Sequence, residues 1–213
     1  GPYTFTDTNL AILGTLRIED GAVALPIGTL SIGGSLLNVG GTFNSATGTV
    51  LFNSTDTGES VNTGPSSFHN VTFGSASGGW TITAHATSTG NFSLTSASQF
   101  TVSSSTTLHV DGIFTNLVGG GATTWTGSTL RLHAGVGYTI NTKAAGGDAY
   151  NNLVVGSSTA LRAWDSSGTV SITDGDSSFY SQDHAGASGA LNIYGDYART
   201  TGTDYWSYAT DFD

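Results

Sequence analysis

The chain has 213 residues, of which only 9% are charged, and its five Lys or Arg against 15 Asp or Glu give a formal net charge of −10. Phosphate backbones and anionic membrane surfaces repel an acidic chain with so few cations, so nucleic-acid binding and membrane association are not expected. No apolar run reaches the roughly 18 residues that a transmembrane helix needs, and cysteine is absent, so neither membrane insertion nor a disulfide framework is expected.

Residues 3–195 are predicted to form short β-strands. Apolar residues recur at positions i and i+2 with Thr, Ser, Asn, His or Arg between them, and no 11-residue window follows a helical period. The pairs are Leu16/Ile18, Val23/Leu25, Leu30/Ile32, Val50/Phe52, Val71/Phe73, Trp80/Ile82, Phe92/Leu94, Phe100/Val102, Leu108/Val110, Leu130/Leu132, Tyr138/Ile140, Leu153/Val155, Val170/Ile172 and Leu191/Ile193. Successive side chains on a strand point to opposite faces, so each pair predicts a strand with one apolar face. Gly1 and Pro2 resemble the scar of a cleaved expression tag and are set aside.

The spacing of these strands predicts a β-solenoid. One apolar residue recurs at steps of 20, 21 and 21, a length that fits a coil of two or three short strands. The residues that define these steps are Leu30, Val50, Val71 and Phe92. Shorter steps of seven residues predict tight corners near Gly21 and Gly28, where glycine adopts a positive φ at little cost. We therefore predict an all-β parallel β-solenoid, or β-helix, with coils of about 20 residues; tandem β-sandwich domains are the alternative.

Longer phrases also recur, in one order and at one long interval. The phrase FHNVTFG at 68–74 returns as YNNLVVG at 150–156, 82 positions later (150 − 68). Two further phrases return in the same way: GTVLF at 48–52 as GSTLRL at 127–132, and TLSIGG at 29–34 as TLHVDG at 107–112 and ALNIYG at 190–195. Such matches are typical of repeat proteins. Residues 3–195 are therefore predicted to consist of super-repeats of about 80 residues, each holding about four coils.

Two asparagines in the repeated phrase are predicted to have a structural role. Asn70 and Asn152 stand between an aromatic residue and an apolar pair, where the alternation changes register. Asn tolerates left-handed backbone and forms hydrogen bonds to nearby backbone at turns. Stacked Asn side chains at a corner of the solenoid are therefore predicted in preference to ligand contact.

The outward side chains are predicted to be solvated. His109 and His133 alternate with inward leucines, and no two histidines have a metal-ligand spacing such as His-x-x-x-His. Outward Thr residues suggest ice binding as an alternative function, because ice-binding solenoids use flat, regular Thr arrays. Because Thr is mixed with His, Arg and Asn in this sequence, a regular array is not expected.

Candidate ligand-binding residues concentrate near the C-terminal end. Asp174, Asp176 and Asp183 offer the carboxylate oxygens that calcium takes, so the alternatives are a bound calcium or no cofactor. Asp174 and Asp176 are also the best carboxylate pair for polysaccharide cleavage, but their spacing is that of an Asp-rich turn, and no catalysis is expected. Residues 196–213 are aromatic and acidic. The alternatives for this segment are a cap over the end of the solenoid, the start of the next repeat, and a sugar-binding surface. The candidate sugar-binding residues are Tyr197, Tyr205, Trp206 and Tyr208.

The repeated phrases FHNVTFG, YNNLVVG, TLHVDG and ALNIYG resemble the β-strand-repeat regions of bacterial surface proteins. In those regions the phrase aromatic-x-Asn-Leu-x-Ile recurs between tracts rich in Gly and Thr. The resemblance, which spans about residues 14–197, implies a stalk or adhesin-like segment of a larger secreted or cell-surface protein. Its partners would be neighbouring repeats of the same polypeptide, and surface glycans. The alternatives are a glycan-binding module formed by the aromatic C-terminal region and a polysaccharide-degrading β-helix enzyme.

Overall fold

A computed structural model describes residues 2–118 and 121–132 in full, and beyond residue 132 the backbone of seven short strands. All regular elements in these parts of the chain are β-strands. In chain order they are β1 Tyr3–Thr4, β2 Leu10–Ile12, β3 Leu16–Ile18, β4 Ala22–Ala24, β5 Thr29–Ile32, β6 Leu36–Asn38, β7 Thr42–Asn44, β8 Thr49–Phe52, β9 Glu59–Asn62, β10 Asn70–Gly74, β11 Gly79–Ile82, β12 Ala86–Ser88, β13 Phe92–Ser96, β14 Gln99–Val102, β15 Thr107–Val110, β16 Phe114–Asn116, β17 Thr123–Thr124, β18 Thr129–Leu132, β19 Tyr138–Ile140, β20 Ala149–Tyr150, β21 Asn152–Val155, β22 Trp164–Ser166, β23 Val170–Ile172, β24 Leu191–Ile193 and β25 Asp211–Phe212.

Within the fully described residues, strands β2 to β18 wind into six coils, numbered from the N-terminal end. Coil 1 consists of β2, β3 and β4, and coil 2 of β5, β6 and β7. Coil 3 has β8 and β9, and its third position is marked only by an isolated bridge from Phe68 to Ser88. Coils 4, 5 and 6 again have three strands each, namely β10–β12, β13–β15 and β16–β18.

Equivalent strands of successive coils pair in parallel and form three faces. The first face is the eight-stranded sheet β2-β5-β8-β10-β13-β16-β19-β22, and the second is the six-stranded sheet β3-β6-β9-β11-β14-β17. The third face has two parts, β1-β4-β7 and β12-β15-β18-β21. Paired residues on the first face of coils 1 to 6 are 20 to 22 positions apart, for example Leu10 with Leu30 and Phe92 with Phe114. The prediction of a parallel β-solenoid is confirmed, and tandem β-sandwich domains are excluded.

The inward side chains form one apolar column along the axis. In coil 2, Leu30 and Ile32 are 1% and 0% exposed. Aromatic rings fill the later coils: the rings of Phe52 and Phe73 stack with centroids 4.7 Å apart, and Phe92 tilts against Phe73 at 5.6 Å. Full burial of one such side chain contributes about 1.5–3 kcal/mol. Stacking of apolar side chains from coil to coil is therefore the main stabilising interaction.

The predicted tight corners exist, but their two glycines are needed for different reasons. Gly21 has a φ of 75°, which an L-residue with a side chain rarely adopts. Gly28 instead lies where a Cβ atom would be 2.5 Å from the carbonyl oxygen of Thr8 in the coil below. The first corner thus needs glycine for its backbone conformation, and the second needs it for close approach between coils.

Asparagine side chains connect successive coils at the corner before the first face. The Oδ1 of Asn70 accepts a hydrogen bond from the backbone N–H of Asn91 at 2.9 Å, and the Oδ1 of Asn91 accepts one from Ile113 at the same distance. Asn9 does the same for Thr29 at 2.8 Å. The predicted bonding of Asn70 to backbone at a corner is confirmed, whereas the side chain of its counterpart Asn152 lies outside the described residues.

The phrases that recur at the long interval lie in different sheets. Strand β10, in the phrase at 68–74, belongs to the first face, whereas β21, in the phrase at 150–156, belongs to the third. Strands β5 and β8 on the first face match β15 and β18 on the third in the same way. The long interval therefore does not return the chain to the same face, and the phrases mark a kind of strand rather than a position in the coil.

Candidate functional surfaces

The side chains predicted to bind calcium or sugars lie outside the described residues. They are Asp174, Asp176 and Asp183 for calcium, and Tyr197, Tyr205, Trp206 and Tyr208 for sugars. Of residues 196–213, the structure describes the backbone of β25. His133 also falls outside. These sites remain predictions.

The surfaces that coils 1 to 6 offer to a binding partner are their three lateral faces. Within residues 2–118 and 121–132, no three His, Asp or Glu side chains lie close enough together to hold a metal ion. The same residues contain no helix of the length and hydropathy needed to cross a membrane. One exposed ion pair, Arg17 Nε to Glu19 Oε1 at 2.6 Å, lies at the N-terminal end of the second face. The outward side chains of each face then differ in kind.

The second face carries a two-column array of uncharged polar side chains. Trp80 and Ile82 point inward and are each 1% exposed, so Thr81 and Thr83 point outward. The same alternation places one outward residue on each of the strands β9, β11, β14 and β17. A second polar residue follows two positions later, at the end of β9 and just past the ends of the other three strands. We call the set the second-face array: Ser60, Asn62, Thr81, Thr83, Thr101, Ser103, Thr124 and Thr126.

The first column of the second-face array, Ser60, Thr81, Thr101 and Thr124, is in register. Ser60 pairs with Thr81, Thr81 with Thr101, and Thr101 with Thr124. Neighbouring strands of a sheet lie about 4.8 Å apart, and residues two apart on a strand about 6.7 Å apart. The first column is thus a regular row of hydroxyl groups along the sheet. The second column lies where the strands end, and there the Oγ1 of Thr83 donates a hydrogen bond to the carbonyl oxygen of Val61 at 3.3 Å. The sequence contained its signal as Thr-x-Thr or Thr-x-Ser at 81–83, 101–103 and 124–126, but alternation alone did not assign these residues to one face.

The third face carries the basic side chains of coils 4 to 6. Thr87, His109 and Arg131 are in register on β12, β15 and β18. The Nε2 of His109 lies 2.9 Å from Oδ1 of Asp111, and the two side chains are 28% and 34% exposed. His109 is on the outward side as predicted, but it is half-buried and paired. The His and Arg residues thus lie on a different face from the second-face array.

Two other histidines contact the adjacent coil. The Nδ1 of His85 accepts a hydrogen bond from the backbone N–H of Thr107 at 2.9 Å, across one coil. The Nδ1 of His69 lies 3.4 Å from the hydroxyl of Thr89. Both rings therefore contact the next coil, a role that the spacing of the histidines in the sequence did not predict.

The first face is the longest and includes exposed apolar side chains. Its central outward row on β5, β8, β10, β13 and β16 is Ser31, Leu51, Thr72, Ser93 and Thr115. Ile113 and Leu117, which flank β16, are 40% and 48% exposed. Leu51, Ile113 and Leu117 interrupt the polar pattern of the first face. The first face therefore lacks the continuous polar column of the second face.

Comparisons with known proteins add no relative: family models, curated proteins and solved structures were all searched, and none matched this chain. The coils and faces therefore define the class of the molecule, a parallel β-solenoid with three strands per coil.

Proposed function

We propose that this chain is a rigid, non-catalytic spacer segment of a larger secreted or cell-surface protein. The observation that carries the proposal is the unbroken first face, in which strands from β2 to β16 pair in parallel from coil to coil over one apolar column. Each coil adds about 4.8 Å along the axis, so coils 1 to 6 extend over roughly 30 Å. The length of such a fold grows in proportion to the number of coils, and a stalk requires this property to hold its end at a set distance from the cell.

The resemblance to β-strand-repeat regions supports the cellular setting of this proposal. Those regions belong to bacterial surface proteins, where stalk and adhesin-like segments hold a binding end away from the cell. Absence of Cys and Met removes the side chains that oxidise most easily, and few Lys or Arg leave few sites for trypsin-like proteases. The natural neighbours of such a segment are further repeats of the same polypeptide.

Coil deletion tests whether the chain acts as a ruler. Spin labels on Ser31→Cys and Thr115→Cys, outward on the first face of coils 2 and 6, should lie four coils apart, roughly 19 Å between backbone sites. Because Val71 pairs with Phe92, deletion of residues 71–91 removes one coil in register and should shorten the distance by about 4.8 Å. An unchanged distance or a disordered protein would contradict a modular rod.

Binding and cleavage assays test whether the segment is inert. A spacer should give no specific signal on a glycan array and release no reducing ends from acidic polysaccharides. Specific glycan binding that is lost when Tyr205, Trp206 and Tyr208 are changed to Ala would favour an adhesive C-terminal region instead. Polysaccharide cleavage abolished by Asp174→Asn or Asp176→Asn would favour a β-helix enzyme.

A second candidate function, ice binding, is favoured by the second-face array. The in-register column of Ser and Thr side chains presents hydroxyl and methyl groups at the strand spacing of about 4.8 Å, which suits contact with an ordered water lattice. Thr101→Tyr at the centre of the array should abolish partition of the protein into growing ice. Thr72→Tyr, a matched outward change on the first face, should leave partition unchanged. Equal partition of both variants and the unmodified chain would contradict this function.

A further inference from the structure

The junction between coils 2 and 3 is joined differently from its neighbours. Between coils 1 and 2, each of the three faces has three paired residues per strand, in β2–β5, β3–β6 and β4–β7. Between coils 3 and 4, the first and second faces have four and three pairs, and the third face has one isolated bridge. Between coils 4 and 5, all three faces are paired again. Between coils 2 and 3, the first face keeps four pairs in β5–β8, but the second face has only two, in β6–β9. On the third face, β7 is the last strand of its sheet.

On the second face, a serine hydroxyl replaces part of the backbone ladder. Leu36 pairs with Val61, 25 positions later (61 − 36), because the corner at 53–58 is longer than the corner of the coil below. The Oγ of Ser35 accepts a hydrogen bond from the backbone N–H of Ser60 at 2.9 Å and donates one to Oε2 of Glu59 at 2.6 Å. The junction on this face therefore depends on a side chain.

On the third face, buried polar side chains make the connections across the junction. The Oγ of Ser66 accepts hydrogen bonds from the backbone N–H of Phe43 at 2.8 Å and from Nδ2 of Asn38 at 3.4 Å. The same Nδ2 donates to the carbonyl oxygen of Thr63 at 2.8 Å. The Oγ of Ser45 donates to the carbonyl oxygen of Ser67 at 3.1 Å. The three side chains that make these bonds, Asn38, Ser45 and Ser66, are buried, with Asn38 only 2% exposed.

Apolar packing continues across the same junction. The ring of Phe68 in coil 3 lies 5.7 Å from that of Phe43 in coil 2, and 6.1 Å from that of Phe52 in its own coil. The core is thus continuous, while main-chain pairing is complete on one face of three. In solenoid proteins the stability is approximately a sum of coil and interface contributions, so the weakest interface sets where the structure opens.

We propose that this junction is a built-in breakpoint, at which coils 1 and 2, residues 10–47, open as one cooperative unit while coils 4 to 6 stay folded. Two backbone pairs and the Ser35 hydroxyl hold the two units together on the second face, and side-chain hydrogen bonds hold them on the third. The intact β5–β8 pair is the hinge of the opening. In the spacer proposed above, the breakpoint would yield first under axial tension. The breakpoint itself holds whether or not the chain is a spacer, because it depends only on the junction.

Native-state hydrogen exchange of the full chain tests the breakpoint. Simple fraying from the N-terminal end would give protection that rises gradually from coil 1 through coil 4. A breakpoint gives one shared opening constant for the protected amides of coils 1 and 2, and a step to slower exchange between β7 and β10. A gradual rise, or a single opening constant for coils 1 to 6, would overturn the proposal.

A pair of serine variants tests the role of the polar clasp, the set of buried side chains Asn38, Ser45 and Ser66. Ser66→Ala leaves the N–H of Phe43 without its buried acceptor, so exchange in coils 1 and 2 should become about tenfold faster, with coils 4 to 6 unchanged. Ser88→Ala is the control, because Ser88 is 0% exposed and its hydroxyl bonds to carbonyl oxygens of His69, Gly90 and Asn91, away from this junction. That variant should leave coils 1 and 2 unchanged.

Outcomes that contradict the clasp are equal acceleration by both serine variants, or acceleration by Ser66→Ala in coils 4 to 6 as large as that in coils 1 and 2. If Ser66→Ala fails to fold, Ser45→Ala removes a single donor at the same junction and should accelerate the same amides by a smaller factor. An unchanged rate in Ser45→Ala, with no step in the unmodified chain, would end the proposal.

Discussion

Coils 1 and 2 and coils 4 to 6 share one three-strand plan but differ in what fills them. The core of coil 2 is largely aliphatic, as at Leu30 and Ile32, whereas coils 4 and 5 bury the rings of Phe73, Phe92 and Phe100. The sequence offset between first-face partners also grows along the chain, from 20 in coils 1 to 3 to 21 and then 22 in coils 3 to 6. Backbone pairing fixes the rise between coils, so larger side chains are accommodated by a wider coil. Longer strands supply that width, since β10 and β13 have five residues each and β5 has four.

The largest loss of stability should follow removal of the central ring of the aromatic coils. Phe73 is 0% exposed and contacts the rings of Phe52, Trp80, Phe92 and Phe100. Phe73→Ala should lower the free energy of unfolding by about 4 kcal/mol, because it loses burial and leaves a cavity between three coils. Denaturant unfolding followed by circular dichroism measures the change. A loss below about 1 kcal/mol would show that the rings do not act as one packed column.

An equivalent truncation in the aliphatic coils should have a smaller and more local effect. Ile32→Ala should lower the free energy of unfolding of coils 1 and 2 by about 3 kcal/mol, since Ile32 is 0% exposed. Ile27, which is 66% exposed at a corner of the same region, is the control, and Ile27→Ala should change little. Hydrogen exchange resolved by coil measures both. The two regions would be energetically alike if Ile32→Ala destabilised coils 4 to 6 to the same extent.

Within the shorter coils, corner glycines should differ in how well they tolerate a side chain. Gly28→Ala places a Cβ 2.5 Å from backbone of coil 1 and should destabilise the protein by about 1–3 kcal/mol through overpacking. At Gly14 nothing lies within 4 Å of the added Cβ, so Gly14→Ala should be neutral or slightly stabilising. Thermal unfolding of the two variants side by side measures the difference. Equal melting temperatures would mean that the corner at Gly28 relaxes freely.

The asparagine connections should give the smallest effect. Asn70→Ala removes the acceptor for the N–H of Asn91, and should lower the free energy of unfolding by about 1 kcal/mol. Asn53→Ala is the control, because Asn53 is exposed and lies outside this corner. Chemical denaturation of both variants is the measurement. A loss at Asn53 equal to that at Asn70 would remove the special role of the corner.

The strands and the coil length could be predicted because an apolar pair at i and i+2 is a local pattern. This pattern does not detect strands in which one inward position is polar, namely Leu36–Asn38, Ala86–Ser88 and Phe114–Asn116. Asn38, Ser88 and Asn116 are 2%, 0% and 0% exposed. Buried polar residues of this kind form hydrogen bonds to the backbone of corners, and a rule based on hydropathy cannot separate them from solvated ones.

The face of each strand could not be predicted from one sequence. Alternation tells which side chains point outward, but not which outward side chains are neighbours across coils. Threonine therefore looked mixed with His and Arg, whereas the structure places Thr81 and Thr101 on the second face, and His109 and Arg131 on the third. Register between coils depends on the length of every corner, and the long corner at 53–58 shifts it by several residues.

The uneven placement of tryptophan makes the protein report selectively on its own unfolding. Trp80 and Trp125 are 1% and 2% exposed, and each packs against the ring of a neighbouring Phe, Phe73 and Phe100 respectively. The other two tryptophans, Trp164 and Trp206, come later in the chain, so residues 3–47 contain none. Intrinsic tryptophan emission will therefore shift to longer wavelength when the aromatic coils melt, and will be almost silent if coils 1 and 2 detach first.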